Sequence, residues 1–599
     1  MTTNQQPNEK LPGWDLSDLY KSIDDPQIEK DLAEYKELNL EFAKRYKDKI
    51  ALLQTQEIFE MFQMYEQQDI IGKVLNDFAC LNMVTQMTNE VAVSFYQNIN
   101  EKIAEYGKPT IFFKIELNKI SQNKVDEWLA DEQVKYYAPA IKYIRKFKDY
   151  QLTEEVAEVL QEKFVTSTLG WVRLQQEHSA RQKYIVNGET YSQATVWRSY
   201  LEQDETIRKN TNAEINRINK ENSPLLTLAY NMIVKDKAIE DKLCGFESPV
   251  EKQNITNGIE NEVVETLVDI VRENYKNISH RFYKLKAKCL GVEKIQFWEL
   301  GRPIIWEQKK QYSWNEAVQI VSAVYREFSP KLYEIAKQFF DNPWIDVPSA
   351  AGKYSGNFGY YVSGNHHPYI SLNWSGQGRD ILVLAHELGH GCHHILSKKY
   401  GNLNNNTPLT LMETASIFSE MLTFQSILKN TTADKAKLCL IADKVSYMLY
   451  TSCSTIASHC FEKRVHNERK KGELSESRLG EIWLEEERAY FGPYVQLNDD
   501  KQYGWSSDSR FFNMPFYVYS YSFADCLVNS LYKVYQDKSV PDFEEKYLTL
   551  LSETGIKNYK ELLKPFGLDA SRKDFWGNGL KLISDYIDEL EELAKSIKF

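Results

Sequence analysis

Apolar positions that recur every three to four residues dominate the chain. Ile58, Phe59, Phe62 and Tyr65 mark one amphipathic helix, and Leu580, Ile583, Ile587, Leu590 and Leu593 mark another near the C-terminus, since this spacing gathers apolar side chains on one helical face. Period-two signals are few. Tyr184 to Tyr191 predicts a hairpin, because Asn187-Gly188 accepts the positive φ angles of a type I′ turn. Tyr369 to Trp374 predicts a second strand, bounded by Pro368 and the turn Ser375-Gly376-Gln377-Gly378. Ahead of it, Gly352 to Gly364 carries four glycines and reads as a mobile loop. The most apolar stretch, Ile381 to Leu396, is interrupted by four histidines and a glutamate. The pattern predicts a predominantly α fold.

A chain of 599 residues is too long for one hydrophobic core, so at least two domains are expected. With no repeat, low-complexity tract or long linker to mark a boundary, the expected division is an N-terminal helical domain, 1–205, carrying the hairpin, and a second domain, 206–599. The net charge of −12 argues against nucleic acid or an anionic membrane as partner, because both require a basic face. No uninterrupted apolar run approaches the ~18 residues of a membrane span, and Met1 to Lys10 lacks the apolar core of a signal peptide. The eight cysteines are scattered without a CxxC pair. Cys453 and Cys460, seven apart on a predicted helix, read as buried free thiols. A reduced, cytoplasmic protein follows as the expectation. Aromatic residues make up 13% of the chain, which fits either a large core or an aromatic-lined cavity.

Chemistry enters with His386-Glu387-Leu388-Gly389-His390. On a helix, residues four apart lie one above the other. Two imidazoles can then reach one metal ion, while Glu387 leans toward the remaining coordination position. A catalytic zinc keeps three protein ligands and one open site for water. The metal acidifies that water and polarises a scissile carbonyl, and the glutamate moves the proton to the leaving amine. The spacing leaves two candidates for the third ligand. His393 lies on roughly the same face, and Glu413 lies in a helical segment after a polar, Asn-rich turn from Gly401 to Asn406, with Glu420 two turns further on. Gly389 costs a helix about 1 kcal/mol relative to alanine; its missing side chain would let a second helix approach.

The run Arg379 to His393, the segment Glu413-Thr-Ala-Ser-Ile-Phe-Ser-Glu420-Met-Leu, and the stretches Trp14 to Tyr20, Phe282 to Lys288, His367 to Asn373 and Pro515 to Tyr519 together resemble the oligoendopeptidase F branch of the M3, thimet oligopeptidase-like, peptidases. The resemblance spans nearly the whole chain. It implies a two-lobed helical peptidase with a deep channel for short unfolded peptides and a small β-sheet beside the active-site helix, residues 206–599 being catalytic. It implies one Zn2+ held by His386, His390 and Glu413, with Glu387 as general base and His393 near the site. His367, Tyr369 and the strand that follows would contact substrate, which would lie along Tyr369 to Trp374 as an added strand.

The same resemblance assigns oxyanion stabilisation to Phe511 to Tyr521, with Tyr519 as favoured donor, Tyr517 second and Tyr521 nearby. Pro515 fits the first turn of a helix; Tyr517 and Tyr521 would then share a face, with Tyr519 opposite. Arg510 stands where relatives usually carry a histidine, and Arg offers charge and several donors but no neutral imidazole. The reading is therefore an endopeptidase of short peptides, with two alternatives: an enzyme releasing short C-terminal fragments, Arg510 gripping the terminal carboxylate, or a slow, zinc-loaded peptide-binding protein. Oligomeric state is not legible.

Overall fold

The computed structural model describes residues 10–306 and 310–599. Helices carry most of the chain, as the periodicity predicts, and the strands form three small sheets. The described residues fall into two compact units, each assembled from three chain segments. The first takes the described parts of Met1–Gln151, Lys309–Ser426 and Val540–Phe566, and the second those of Leu152–Gln308, Ile427–Ser539 and Gly567–Phe599. These spatial units are interleaved along the chain, so they are a different partition from the chain-order division at residue 205. None of the described helices is long and apolar enough to cross a membrane.

In the first unit, helices α1 (Pro26–Tyr46) and α2 (Thr55–Val84) build an aromatic core. The predicted stripe of α2 is buried at Ile58 and Phe62, with Phe59 and Tyr65 packed at its edge. A three-stranded sheet follows from β1 (Ile345–Pro348), β2 (Phe358–Tyr360) and β3 (Tyr369–Trp374), in the order β1-β3-β2. The glycine-rich segment is thus not loop throughout, since β2 pairs antiparallel with β3 in the register Gly359–Ile370. On its other side β3 pairs parallel with β1. With both edges occupied, β3 buries its first four side chains instead of alternating, and it has no edge left for a substrate strand. The expectation that substrate lies along Tyr369 to Trp374 is corrected accordingly; β1 and β2 are the edge strands.

Helix α3 (Gly378–Ser397) starts where Asp380 accepts hydrogen bonds from the backbone N–H groups of Ser375 and Gln377, closing the predicted turn. It packs on both β2 and β3. Helix α4 (Thr414–Asn430) follows the short helix Leu409–Met412, and Glu413 occupies the break between them with φ −81° and ψ 0°. In the second unit, the hairpin forms as predicted, with Asn187 and Gly188 both at positive φ. The C-terminal helix Lys573–Ser596 buries Leu580, Ile583, Ile587 and Leu590. All eight cysteines are free, and Cys453 and Cys460 are buried.

Candidate active site

The donors of His386, Glu387 and His390 lie within 4.8 Å of one another on α3. Glu413 is brought against them from the break before α4. Its Oε2 lies 3.2 Å from His386 Nε2 and 3.4 Å from His390 Nε2. For metal bonds of about 2.0–2.1 Å, neighbouring ligands at tetrahedral angles stand about 3.3–3.4 Å apart, so both carboxylate-to-imidazole spacings suit a zinc-sized ion. The chemistry of the donor set, two imidazoles and one carboxylate, fits the same ion.

The approach that creates this spacing depends on Gly389. A Cβ there would stand 2.7 Å from the Ala415 carbonyl oxygen and 2.8 Å from Ser416 Cα, distances that real side chains do not reach. The sequence-based reason for a glycine inside the helix therefore holds. Ser416 then donates to Glu413 Oε2 at 2.7 Å and fixes the carboxylate. Glu420, one face along α4, lies 3.3 Å from His386 Nδ1. A carboxylate on the far nitrogen selects the tautomer that leaves Nε2 available for a metal.

Electrostatics follow from this crowding. Burial lowers the affinity of His386 for a proton, but hydrogen bonds to Glu413 and Glu420 outweigh it and hold the imidazole well above its ordinary pKa. Glu413 is opposed by burial, yet His390 and His386 keep it well below the carboxylate range. The field that attracts a proton here attracts a dication equally. Burial pushes Glu387 upward, against the pull of His386 and His390. A Cβ on Gly359 would lie 3.2 Å from the Glu387 carbonyl oxygen, which places strand β2 beside the general-base candidate.

His393 is not in this donor group. It is buried, and its Nε2 lies 2.7 Å from the Thr554 hydroxyl, with burial holding the ring down at about 4. It ties α3 to Thr554 and adds no donor to the group. His367 and Tyr369 also face elsewhere. His367 stacks on Trp344 at 3.9 Å and pairs with Asp18 at 2.9 Å, and the Tyr369 hydroxyl donates to the same carboxylate. Both residues secure the family-like segment Trp14 to Tyr20 against the sheet.

In the second unit the tyrosine segment departs from a simple helix. The helix begins at Tyr519, and Pro515 lies in a turn before it. The reason is Phe516, which takes a left-handed φ of 61°, a conformation that ends helical propagation and costs about 1–3 kcal/mol. Its N–H donates to Glu462 Oε1 at 3.0 Å, and its ring lies 5.9 Å from His459 and 4.7 Å from His466. Tyr517 and Tyr521 still share a face, with rings 5.2 Å apart, and both are partly exposed. Tyr519 is fully buried, and its hydroxyl accepts a hydrogen bond from Asn257 at 2.8 Å. Arg510 makes a two-point ion pair with Asp508, at 2.6 and 2.8 Å, and sits 5.9 Å from the Tyr521 ring centroid.

Two imidazoles with a carboxylate against them and an adjacent glutamate, on two closely packed helices, could hold a metal ion and suit a metallopeptidase. The chain belongs to peptidase family M3, whose profile matches residues 200–582, and residues 116–184 match the oligopeptidase F N-terminal family. It is 23% identical to oligopeptidase PepF of Bacillus subtilis, over 98% of this chain and 88% of that protein. It is 24% identical to an oligoendopeptidase F homolog of Borreliella burgdorferi, over 97% and 98%. The fold is similar to that of oligoendopeptidase-F from Enterococcus faecium, with a TM-score of 0.73, 18% identity, and 95% and 99% of the two chains covered. PZ peptidase A with an inhibitor is similar too, at a TM-score of 0.72, 19% identity, and 94% and 98% coverage. The protein is a metallopeptidase acting as an oligopeptidase.

Proposed function

We propose that the protein is a zinc-dependent endopeptidase that hydrolyses internal bonds of short, unfolded peptides. The observation that carries this is the convergence of His386 Nε2 and His390 Nε2 on Glu413 Oε2 at tetrahedral-edge spacing beside Glu387. One Zn2+ bound by these three residues would supply Lewis acidity toward a water molecule and the scissile carbonyl. Glu387 takes the proton from that water and delivers it to the leaving nitrogen. Glu420 holds His386 in the ligating tautomer, and Ser416 holds Glu413. The outer edge of β2, which no described strand pairs with, receives the peptide main chain, which makes recognition depend little on side-chain identity. Within the tyrosine segment, the exposure of Tyr517 and Tyr521 supports them as oxyanion donors in place of Tyr519.

The ion pair of Arg510 with Asp508 supports cleavage at internal bonds over capture of a terminal carboxylate, since the guanidinium fork already has its partner. The position of Glu387 favours turnover over peptide binding alone. The lack of any disulfide among the eight cysteines supports a cytoplasmic setting, and the family match from residue 200 onward supports treating 206–599 as the catalytic portion. The test is a digest of mixed peptides of graded length, free-acid and amidated, followed by mass spectrometry before and after chelation. Internal cleavage of both forms, lost on chelation and restored by zinc, is the expected result. Cleavage confined to free-acid peptides, or none at all, would overturn the proposal.

A further inference from the structure

Strand β2 is only three residues long, yet its backbone lies directly against α3 at Glu387 and His390. A Cβ on Gly359 would stand 2.8 Å from His390 Cβ and 3.2 Å from the Glu387 carbonyl oxygen. So short a strand does not hold itself in place. On one side it is tied to β3. Immediately downstream it is tied to α2, by a residue that the catalytic reading does not use. Asp77 Oδ1 accepts from the Tyr360 hydroxyl at 3.1 Å, and Asp77 Oδ2 accepts from the Ser363 N–H at 3.1 Å.

Asp77 is buried, 7% exposed. A carboxylate is a costly group to place there, and burial pushes it up to about 6 despite the two donors. What it provides is two acceptor oxygens for two donors that converge on one point. An amide offers one oxygen and one NH2, so it satisfies only half of the arrangement. Both tethered groups lie within four residues of Gly359, so the clamp acts on the strand and not on the remote end of a loop.

We propose that Asp77 is a positioning residue for substrate: it clamps Tyr360 and Ser363 and so holds the edge of β2 in register beside Glu387 for an incoming peptide main chain. This rests on the reading of β2 as the strand that receives substrate. The clamp joins the N-terminal helical segment to the active site, giving those helices a role in peptide affinity and not only in folding.

The test compares wild type, D77A, D77N, Y360F and D77A/Y360F at fixed zinc content, well below their melting temperatures. Each is assayed on an internally quenched short peptide and on the same peptide with N-methylated backbone amides. D77A is expected to raise KM about tenfold with kcat within about threefold, and D77N and Y360F to fall between D77A and wild type. D77A/Y360F should be no worse than D77A, because both act through one clamp. If D77A does not accumulate as folded protein, D77N is read in its place. Wild-type KM in these variants, or effects of D77A and Y360F that multiply, would overturn the role of Asp77 while leaving the strand reading intact, provided N-methylation still weakens binding to wild type. Equal binding of N-methylated and parent peptides by wild type would overturn the strand reading, and the Asp77 proposal with it.

Discussion

Gly389 and Ser416 meet backbone to backbone: a methyl group on Gly389 would lie 2.8 Å from Ser416 Cα. This approach brings α4 against α3 and delivers Glu413 to the histidines. Gly389→Ala should therefore separate the ligands even though alanine is the better helix former by about 1 kcal/mol. The expected outcome is a protein that retains its helical circular dichroism, loses most of its bound metal, and hydrolyses peptide at least about 100-fold more slowly, as misplacement on the order of 1 Å does elsewhere. Metal content and kcat/KM check it together.

Glu420 reaches the metal site through His386 Nδ1, at 3.3 Å. Removing it with Glu420→Ala leaves all three proposed ligands in place. Zinc affinity should fall about 10- to 100-fold, measured by competition with a chelator, while activity at saturating zinc falls much less. An unchanged affinity would remove Glu420 from any orienting role.

The tyrosines separate by burial. Tyr519→Phe removes one buried hydrogen bond with Asn257, so it should cost about 1 kcal/mol of stability and leave kcat within about threefold. Tyr517→Phe should lower kcat by about 100-fold if its phenol supports the oxyanion. Steady-state kinetics on both variants reverse or uphold this assignment. A large kcat loss confined to Tyr519→Phe would restore the original ordering.

Glu462 gives a pH dependence. It is fully buried, one oxygen holding the Phe516 N–H, and burial pushes it up to about 8 from an ordinary value of 4.5. A carboxyl raised in the folded state binds its proton more tightly there than when unfolded. Its contribution to stability is therefore fully present below about pH 4.5 and is lost as pH rises through about 8. Between pH 5 and 9 the wild type should lose roughly 3 to 5 kcal/mol that Glu462→Gln does not. Denaturant melts of both proteins across that range check the difference, in which the other buried groups cancel.

Much of this site was legible in the chain because its chemistry is local. His386, Glu387 and His390 are spaced by a helix turn, and Gly389 among them already implied a close second helix. Glu413 was visible as a candidate from the helical segment around it, but spacing alone left it level with His393; only three-dimensional placement shows His393 turned toward Thr554. The strand β2 was hidden because Phe358-Gly-Tyr360 is too short to show alternation, and its tether to Asp77 spans 283 residues of sequence. Helical periodicity set Tyr519 opposite Tyr517 and Tyr521, yet Tyr517 lies before the helix, and the spacing could not say which face meets the core. The left-handed turn at Phe516 left no mark either, since phenylalanine rarely adopts positive φ and here does so on the strength of Glu462.

The central claim is a zinc centre in which Glu387 moves the proton without holding the metal, and Glu387→Gln tests it most directly. Metal content and peptide hydrolysis are measured on the same preparation. The account predicts about one zinc per chain, as in wild type, with hydrolysis reduced by several orders of magnitude. Hydrolysis near the wild-type rate, or loss of the metal on this substitution alone, would contradict it.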